Sequence, residues 1–424
     1  MLFALAVAHF AAMPWPRFAT VAMYAVSFTW ISLITWRERW HIRFVNALDV
    51  LFVSFIFLVS ASLFLQGGIW NEAGRVALYL PFMVIVPYLG GRLMRMRDIE
   101  LLMRITLIAG MSLMSLMLID RSTSPMQETG RWSFFGLNHG ALLLGALLAS
   151  TLIALCVRIL GFRNVDERNS RNRLIFLYGL VGLATIFLVW VAARGWLLAG
   201  LAGVAVACLS ARHRFILMRI GLFAAVFATV GLSMVALPKL DAQFGRMYAE
   251  IVESSSQPVI YLGGGRQIPG EARPVLGETS CQPIKERVNS IAIRWVIYQE
   301  AMTMFLENPI FGVGAARFGE QSCLGPKGFP HSTILQVLAE LGVNGGGMLI
   351  GMLIIAANTL LRRILSDMHR ANWSTDAFIL AFLAMFLGAD QIYGNYFMSV
   401  GSWMMLGIVA SMRSSNKLVG ESLG

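Results

Sequence analysis

The sequence predicts an all-α polytopic membrane protein with about twelve transmembrane helices and one large external segment between spans 9 and 10. Three observations predict this class: the composition, the length of the apolar blocks and the placement of the basic residues. Hydrophobic residues make up 57% of the 424 residues, and charged residues only 13%. So few charges cannot cover the surface of a water-soluble protein, which excludes a set of soluble domains.

The apolar residues fall in repeated blocks of about 17–25, the length that a helix needs to cross roughly 30 Å of hydrocarbon. We interpret the first block as a membrane segment and not as a cleaved signal peptide, because no basic residues precede it. The candidate spans lie near residues 1–13, 17–36, 44–66, 76–91, 101–119, 133–157, 174–193, 195–211, 215–237, 333–360, 376–391 and 395–412.

The net charge of +11 is explained by the basic residues between spans. If the spans alternate, these residues collect on one side, which the positive-inside rule identifies as cytoplasmic, together with both termini. A nucleic-acid partner is not expected, because no stripe of basic and aromatic residues is visible. The clusters that define this side include Arg37 to Arg43, Arg92 to Arg97, Arg158 to Arg173, Arg212 to Arg219, Arg362 to Arg370, and Arg413 with Lys417.

One long external segment interrupts the spans, and long connections of this kind are usually functional. We therefore divide the chain into a bundle of spans 1–9 (1–237), an external segment (238–332), spans 10–12 (333–412) and a cytoplasmic tail (413–424). Within the external segment, 289–307 is predicted to be an amphipathic helix ending before Pro309. A disulfide between Cys281 and Cys323 is one option if the outside is oxidising.

Two residues at span edges are candidates for chemistry. Arg194 stands between two apolar runs, at the external surface, where its guanidinium could bind a membrane-embedded anion or could merely snorkel and cap a helix. His331 follows Pro330 where the external segment re-enters the membrane, in what we expect to be the first turn of a helix. A histidine there can exchange a proton near neutral pH.

Other charged residues allow two interpretations. The external arginines, which include Arg266, Arg287 and Arg294, suit a phosphate or pyrophosphate, but they could equally be solvated loop charges. The carboxylates of Glu340, Asp49 and Asp390 are interpreted as structural partners. No sequence pattern for a metal site or for ATP binding is present, so we expect no metal and no cofactor.

A family resemblance rests on several of these residues. The run His331-Ser332, nine residues, Gly342, two residues and Gly345 resembles the signature of the O-antigen ligase family, which is grouped with O-antigen polymerases and protein O-oligosaccharyltransferases. Ala193-Arg194-Gly195-Trp196 is similar to a further family element, in which serine is common at the first position. Weaker similarities are Gly136-Leu-Asn138 after Arg131, Arg294-x-x-x-Tyr298, and Asn308-Pro309-x-x-Gly312-x-Gly314.

The resemblance implies an inverting, metal-independent glycosyltransferase with its active site on the periplasmic face of a Gram-negative inner membrane. Its donor would be O-antigen on undecaprenyl pyrophosphate, and its acceptor the lipid A-core oligosaccharide. The resemblance implies that His331 acts as the base, and that Arg194 and Arg294 bind the pyrophosphate, with Arg266 or Arg287 as reserves. Membrane lipid is a further expected partner.

Three alternatives remain at this stage. A polymerase or a protein O-oligosaccharyltransferase would use the same chemistry, although a polymerase commonly has two large external loops. A transporter or flippase would tend to have related halves and interrupted helices that meet at the midplane, and neither is visible here. A scaffold protein would not explain why His331 and Arg194 are both predicted at the external surface.

Overall fold

A computed structural model describes residues 46–65, 80–123, 141–161, 168–191, 194–211, 216–236, 290–322, 329–366, 373–392, 396 and 399–421. All regular structure in these ranges is helical. After α1 (Ala47–Leu65), a π-helix (Leu80–Ile85) continues directly into α2 (Val86–Arg92). The remaining helices are α3 (Met96–Thr123), α4 (Ala141–Leu160), α5 (Arg168–Trp190), α6 (Arg194–Ser210), α7 (Ile216–Ala236), α8 (Ser290–Glu307), α9 (Phe318–Gln321), α10 (Thr333–Ser366), α11 (Trp373–Asp390) and α12 (Val400–Glu421).

Ten of the predicted spans overlap these helices, which confirms the helical class. In the described part of the chain, five helices are long and apolar enough to cross a membrane, and four shorter helices are also apolar. The predicted spans 1–13 and 17–36 lie outside the described residues. The total of about twelve spans therefore stays a prediction. The five long helices are Ala47–Leu65, Met96–Ile119, Arg171–Trp190, Thr333–Ser366 and Trp373–Asp390.

The cytoplasmic end predicted from the basic residues is held together by hydrogen bonds between distant helices. Asn46, which caps α1, donates from Nδ2 to the carbonyl of Ala410 in α12 (2.9 Å). The indole of Trp373, at the start of α11, donates to the carbonyl of Ser210, the last residue of α6 (3.0 Å). The beginnings of α1 and α11 therefore lie at the same end as the end of α6 and the second half of α12.

Buried ion pairs join helices near this end. Asp49 accepts hydrogen bonds from Arg92 Nε (3.1 Å) and from the hydroxyl of Tyr88 (2.8 Å), and its side chain is fully buried. Arg363 in α10 binds Asp376 in α11 (3.2 Å). A buried charge requires such a partner, since removing one member leaves the other uncompensated. The structural role predicted for Asp49 is confirmed.

The opposite end, which the sequence predicts to be external, carries the described part of the segment between α7 and α10. The backbone amide of Ala315 in this segment donates to Oγ of Ser62, near the end of α1 (3.0 Å). Helix α8 begins and ends within one residue of the predicted amphipathic helix 289–307. Three apolar residues at helical spacing on α8 are buried: Ile297, Ala301 and Met304.

Candidate active site

Helix α10 is bent at Gly342, the first glycine of the signature described above. Gly342 has φ 63° and ψ −159°, backbone angles that residues with a side chain rarely adopt. The loop after α8 binds the backbone at this bend. The amide of Val313 donates to the carbonyl of Ala339 (2.9 Å), and the amide of Gly314 donates to the carbonyl of Glu340 (2.8 Å). The bend is therefore a docking site for the loop.

The close approach of loop and helix depends on glycine on both sides. Gly312 has φ 65°, and a Cβ on it would lie 2.5 Å from the carbonyl oxygen of Glu340. A Cβ on Gly342 would lie 2.7 Å from the amide nitrogen of Phe311. Both distances are well inside van der Waals contact, so neither position accepts a side chain without movement of the backbone. The two motifs, far apart in sequence, thus form one structural unit.

Glu340 stabilises the contact between the loop after α8 and the bend of α10. Its side chain is buried, and its carboxylate accepts hydrogen bonds from the backbone amide of Ala316 (2.8 Å), the hydroxyl of Tyr396 (2.9 Å) and the amide of Gln336 (3.1 Å). A carboxylate with three donors is satisfied by the protein itself. The prediction that Glu340 is a structural partner is confirmed.

His331 lies two residues before α10, which begins at Thr333, and not within its first turn as predicted. The backbone of His331 is left-handed, with φ 53°, a conformation that is uncommon outside glycine and often occurs at functional sites. The next two residues hold this turn in place. Ser332 donates to Oε1 of Gln391 (2.7 Å), and Thr333 donates to the carbonyl of Asp390 (3.3 Å). The end of α11 therefore fixes the position of the histidine.

The imidazole of His331 is half-buried, and its ring centroid lies 4.3 Å from that of Phe329. Its Nδ1 is buried and has no hydrogen-bond partner among the described residues. Burial lowers the pKa of His331, and the positive charge of Arg294 lowers it further. Both effects disfavour the charged imidazolium. At neutral pH the ring is therefore neutral and able to accept a proton.

Arg294 is brought to this site by α8. One turn further along this helix, the hydroxyl of Tyr298 donates to the backbone carbonyl of Gln391 (3.2 Å). Gln391 thus receives one hydrogen bond from the arginine's helix and another from Ser332, next to His331. The electrostatic effect of Arg294 on His331 agrees with this arrangement. Of the four arginines named in the sequence analysis, Arg294 is the one whose side chain the structure describes, and its charge acts on His331.

Arg194 is the first residue of α6, and the packing of α6 locates its backbone. Helices α6 and α11 run antiparallel: a Cβ on Gly203 would lie 2.9 Å from the carbonyl oxygen of Ala381, and the rings of Trp196 and Phe386 meet edge to face at 6.3 Å. Because α6 ends beside the start of α11, it begins near the end of α11. The backbone of Arg194 therefore lies at the same end of the helices as the end of α11, the end that the sequence predicts to be external.

Other predicted residues fall outside the described ranges. They are the reserve arginines Arg266 and Arg287, the two cysteines of the suggested disulfide, Cys281 and Cys323, and the element Gly136-Leu-Asn138 with Arg131. Their assignments stay predictions. As to metal ions, no three His, Cys, Asp or Glu side chains within the described ranges are placed to hold one.

Sequence reasoning missed Gln391. It follows Asp390, which was assigned a structural role, and Asp390 does accept hydrogen bonds from Ser402 Oγ through its carboxylate and from Thr333 through its carbonyl. A glutamine directly after a span-edge aspartate, at the external end, was the available signal. Its significance lies in two partners that are 59 and 93 residues away.

Comparison with protein families gives an independent result. Residues 169–350 match the Wzy_C model, which describes the O-antigen ligase family. No curated protein sequence matches the chain. The matched region includes Arg194, Arg294, the loop after α8, His331 and Gly342. Members of this family are glycosyltransferase-like enzymes, O-antigen ligases and polymerases, whose substrates are lipid-linked polysaccharides. Residues 169–350 are therefore similar to the O-antigen ligase (Wzy_C) family, and this match supports the resemblance predicted from the motifs.

Proposed function

We propose that this protein is an O-antigen ligase of the Gram-negative inner membrane. It transfers O-antigen polysaccharide from undecaprenyl pyrophosphate to the lipid A-core oligosaccharide on the periplasmic side, without a metal ion. The observation that carries the proposal is the connection, through Gln391, of the turn at His331 to the helix of Arg294, within the region that matches the O-antigen ligase family. A neutral base with a cation nearby is what a transfer from a pyrophosphate requires.

In the proposed reaction, the acceptor hydroxyl attacks the anomeric carbon of the donor sugar. The bond from this carbon to the pyrophosphate oxygen breaks on the opposite face, so the anomeric configuration inverts. His331 takes the proton from the attacking hydroxyl. Undecaprenyl pyrophosphate leaves with the electron pair, and its negative charge is stabilised by Arg294 and Arg194. Arg266 and Arg287 are reserve candidates for the same role.

The charge state of His331 is expected to change when the donor binds, in the direction that this reaction needs. Before the donor binds, Arg294 lowers the pKa of His331 and keeps the ring neutral. A bound pyrophosphate adds negative charge next to both residues, which stabilises the imidazolium and makes His331 a stronger base. His331 is therefore the stronger base when the donor is bound, which is when it must take the proton from the acceptor hydroxyl.

Complementation of a ligase-deficient Gram-negative strain tests the proposal. The wild-type chain should restore the lipopolysaccharide ladder on a gel, and His331→Ala at equal membrane abundance should not. The rate loss for a missing general base is about 10²–10⁴-fold. A normal ladder with His331→Ala would overturn the assignment of the base. A chelator should leave transfer in membranes unchanged, whereas a strict need for a divalent cation would contradict the metal-free mechanism.

A polymerase is distinguished by its product. Ligation moves the polysaccharide onto the lipid A-core, whereas polymerisation lengthens the chain on the lipid carrier. The donor lipid is therefore extracted from the same strains and sized. Longer carrier-linked chains that depend on this protein, without any core-linked product, would establish the polymerase alternative and contradict the ligase proposal.

A further inference from the structure

Helix α8 has a second apolar face, which the protein core does not use. Trp295, Met302 and Leu306 are 56%, 42% and 68% exposed. Their spacing of seven and four residues places them on one stripe along the helix. Large apolar side chains aligned in this way on an extramembrane segment indicate an interaction surface.

The inner face of the same helix accounts for its packing on the rest of the protein. Ile297, Ala301 and Met304 form a small buried cluster with residues that include Phe318 and Ala339. By helical spacing, this face lies on the side of α8 opposite to the exposed stripe. The stripe is therefore not required for folding against α10.

The exposed stripe continues onto α10. After α8, Ile310 and Phe311 are also exposed, and the adjacent carbonyl of Pro309 accepts a hydrogen bond from the amide of Val343 (2.7 Å). Val343 begins a line of exposed apolar residues on α10, a helix long and apolar enough to cross a membrane. This line consists of Val343, Ile350, Ile354, Leu361 and Leu365.

The two stripes thus meet where the amide of Val343 binds the carbonyl of Pro309. The lower part, on α10, faces lipid because this helix is long and apolar enough to cross a membrane. We infer that the upper part, formed by Trp295, Met302, Leu306, Ile310 and Phe311, lies in the external leaflet of the same bilayer. Its occupant is the hydrocarbon of the bilayer lipids. Helix α8 is then an interfacial helix, half-submerged, with its inner face on the protein. The presence of Trp295 agrees with the enrichment of tryptophan at membrane interfaces.

This placement has a consequence for the site, which rests on the proposed function. Arg294 immediately precedes Trp295, so it lies at nearly the same level of the helix but about 100° around it, on the flank between the exposed stripe and the buried face. An arginine at this depth extends its guanidinium to the level of the lipid head groups. The pyrophosphate of a lipid-linked donor lies at the same level. The donor would therefore reach Arg294 by moving within the membrane plane.

Spin labels measure the depth of α8 directly. The full-length protein, with its native cysteines replaced by alanine, is placed in phospholipid nanodiscs without any polyprenyl lipid. A nitroxide is attached at Met302→Cys, at Leu306→Cys or, as a control, at Glu307→Cys, an exposed position away from the stripe. Relaxation enhancement is then compared for oxygen, which partitions into lipid, and for a water-soluble nickel chelate.

The expected result is that oxygen relaxes the labels at 302 and 306 more strongly than the nickel chelate does, with the reverse at 307. Access of the nickel chelate to 302 and 306 would put the stripe in water and overturn the inference. Protection from both reagents would mean that another part of the protein covers the stripe, which also overturns it. Because no donor is present, a result in favour identifies bilayer lipid and not the donor's own chain. The measurement needs no sugar transfer, so its failure is distinct from failure of the proposed function.

Discussion

Ser332, the residue after His331, donates a 2.7 Å hydrogen bond to the side chain of Gln391. The backbone carbonyl of Gln391 accepts a second hydrogen bond from Tyr298, one helical turn from Arg294. Gln391 therefore connects the turn of His331, the proposed base, to the helix of Arg294, the proposed cation, and we expect it to act as a positioning residue. Loss of either donor should loosen the same connection.

We expect Ser332→Ala and Tyr298→Phe each to lower kcat about fivefold, the value of one hydrogen bond of about 1 kcal/mol. The double variant should lose less than the product of the two, because both bonds hold the same residue. Steady-state kinetics in nanodiscs measure this, with Ser115→Ala, an exposed serine on α3, as the matched control. Independent, multiplicative losses, or a change in KM alone, would contradict the positioning role.

The pH dependence of transfer should reveal the charge coupling between Arg294 and His331. Burial and Arg294 both lower the pKa of His331, and the base must be neutral, so activity is lost as the pH falls through this lowered pKa. Arg294→Gln removes a positive charge and makes the imidazolium less unfavourable. The acid limb of kcat/KM should therefore move to higher pH, in addition to any loss of rate.

Arg294→Lys is the control for this experiment, because it keeps the charge and should keep the position of the acid limb. In the wild type, the acid limb of kcat should lie at higher pH than that of kcat/KM, because the former reports the complex with the anionic donor. Profiles from about pH 5 to 8 cover the range in which histidine titrates. An unchanged acid limb in Arg294→Gln would show that the charge of Arg294 does not influence the pKa of His331, which contradicts the coupling.

The bend in α10 should not tolerate a side chain at Gly342. Gly342→Ala places a Cβ against the loop backbone and forces a residue other than glycine to φ 63°. We expect a loss of at least about 1–3 kcal/mol in stability, with a fall in the melting temperature in detergent. Gly347→Ala, in the same helix and with open space at its Cβ, should be neutral or slightly stabilising. Equal melting temperatures would contradict the docking role of the bend.

Arg194→Lys should impair transfer although the charge is retained. Lysine lacks the planar fork with which arginine binds phosphate oxygens in pairs. The expected effect is a higher KM for the donor, a lower kcat, or both, in the nanodisc assay. Arg171→Lys, an exposed arginine on the predicted cytoplasmic side of α5, provides the comparison. Activity equal to the wild type would mean that Arg194 only anchors α6 at the interface.

Several features were predictable because they depend on local pattern. The amphipathic helix 289–307 follows from the spacing of Ile297, Ala301 and Met304, and its end follows from Pro309. The external location of Arg194, from alternation of the spans, and the side of the membrane, from the basic residues, stay predictions.

The meeting of Gly312 with Gly342 was not predictable from spacing. Each glycine could have served a separate turn, and only the docked loop shows that each leaves room for the backbone of the other motif. The same holds for Glu340. Its structural role was predicted, but its partners Ala316 and Tyr396 lie in different segments. The turn at His331 was predicted as helix, and it is left-handed because Gln391 and Asp390 hold the next two residues.

The sequence by itself determined the helical membrane class and the resemblance to the O-antigen ligase family, and it predicted the external side and the histidine and arginines of the candidate site. These depend on composition, periodicity and short motifs, which act over a few residues. Only the tertiary structure decided that Gln391 connects the turn at His331 to the helix of Arg294, and that α8 has an apolar face that its packing on the protein does not use. Hydrogen bonds and electrostatic effects of this kind depend on distances of a few ångströms between residues far apart in the chain, and no local pattern encodes those distances.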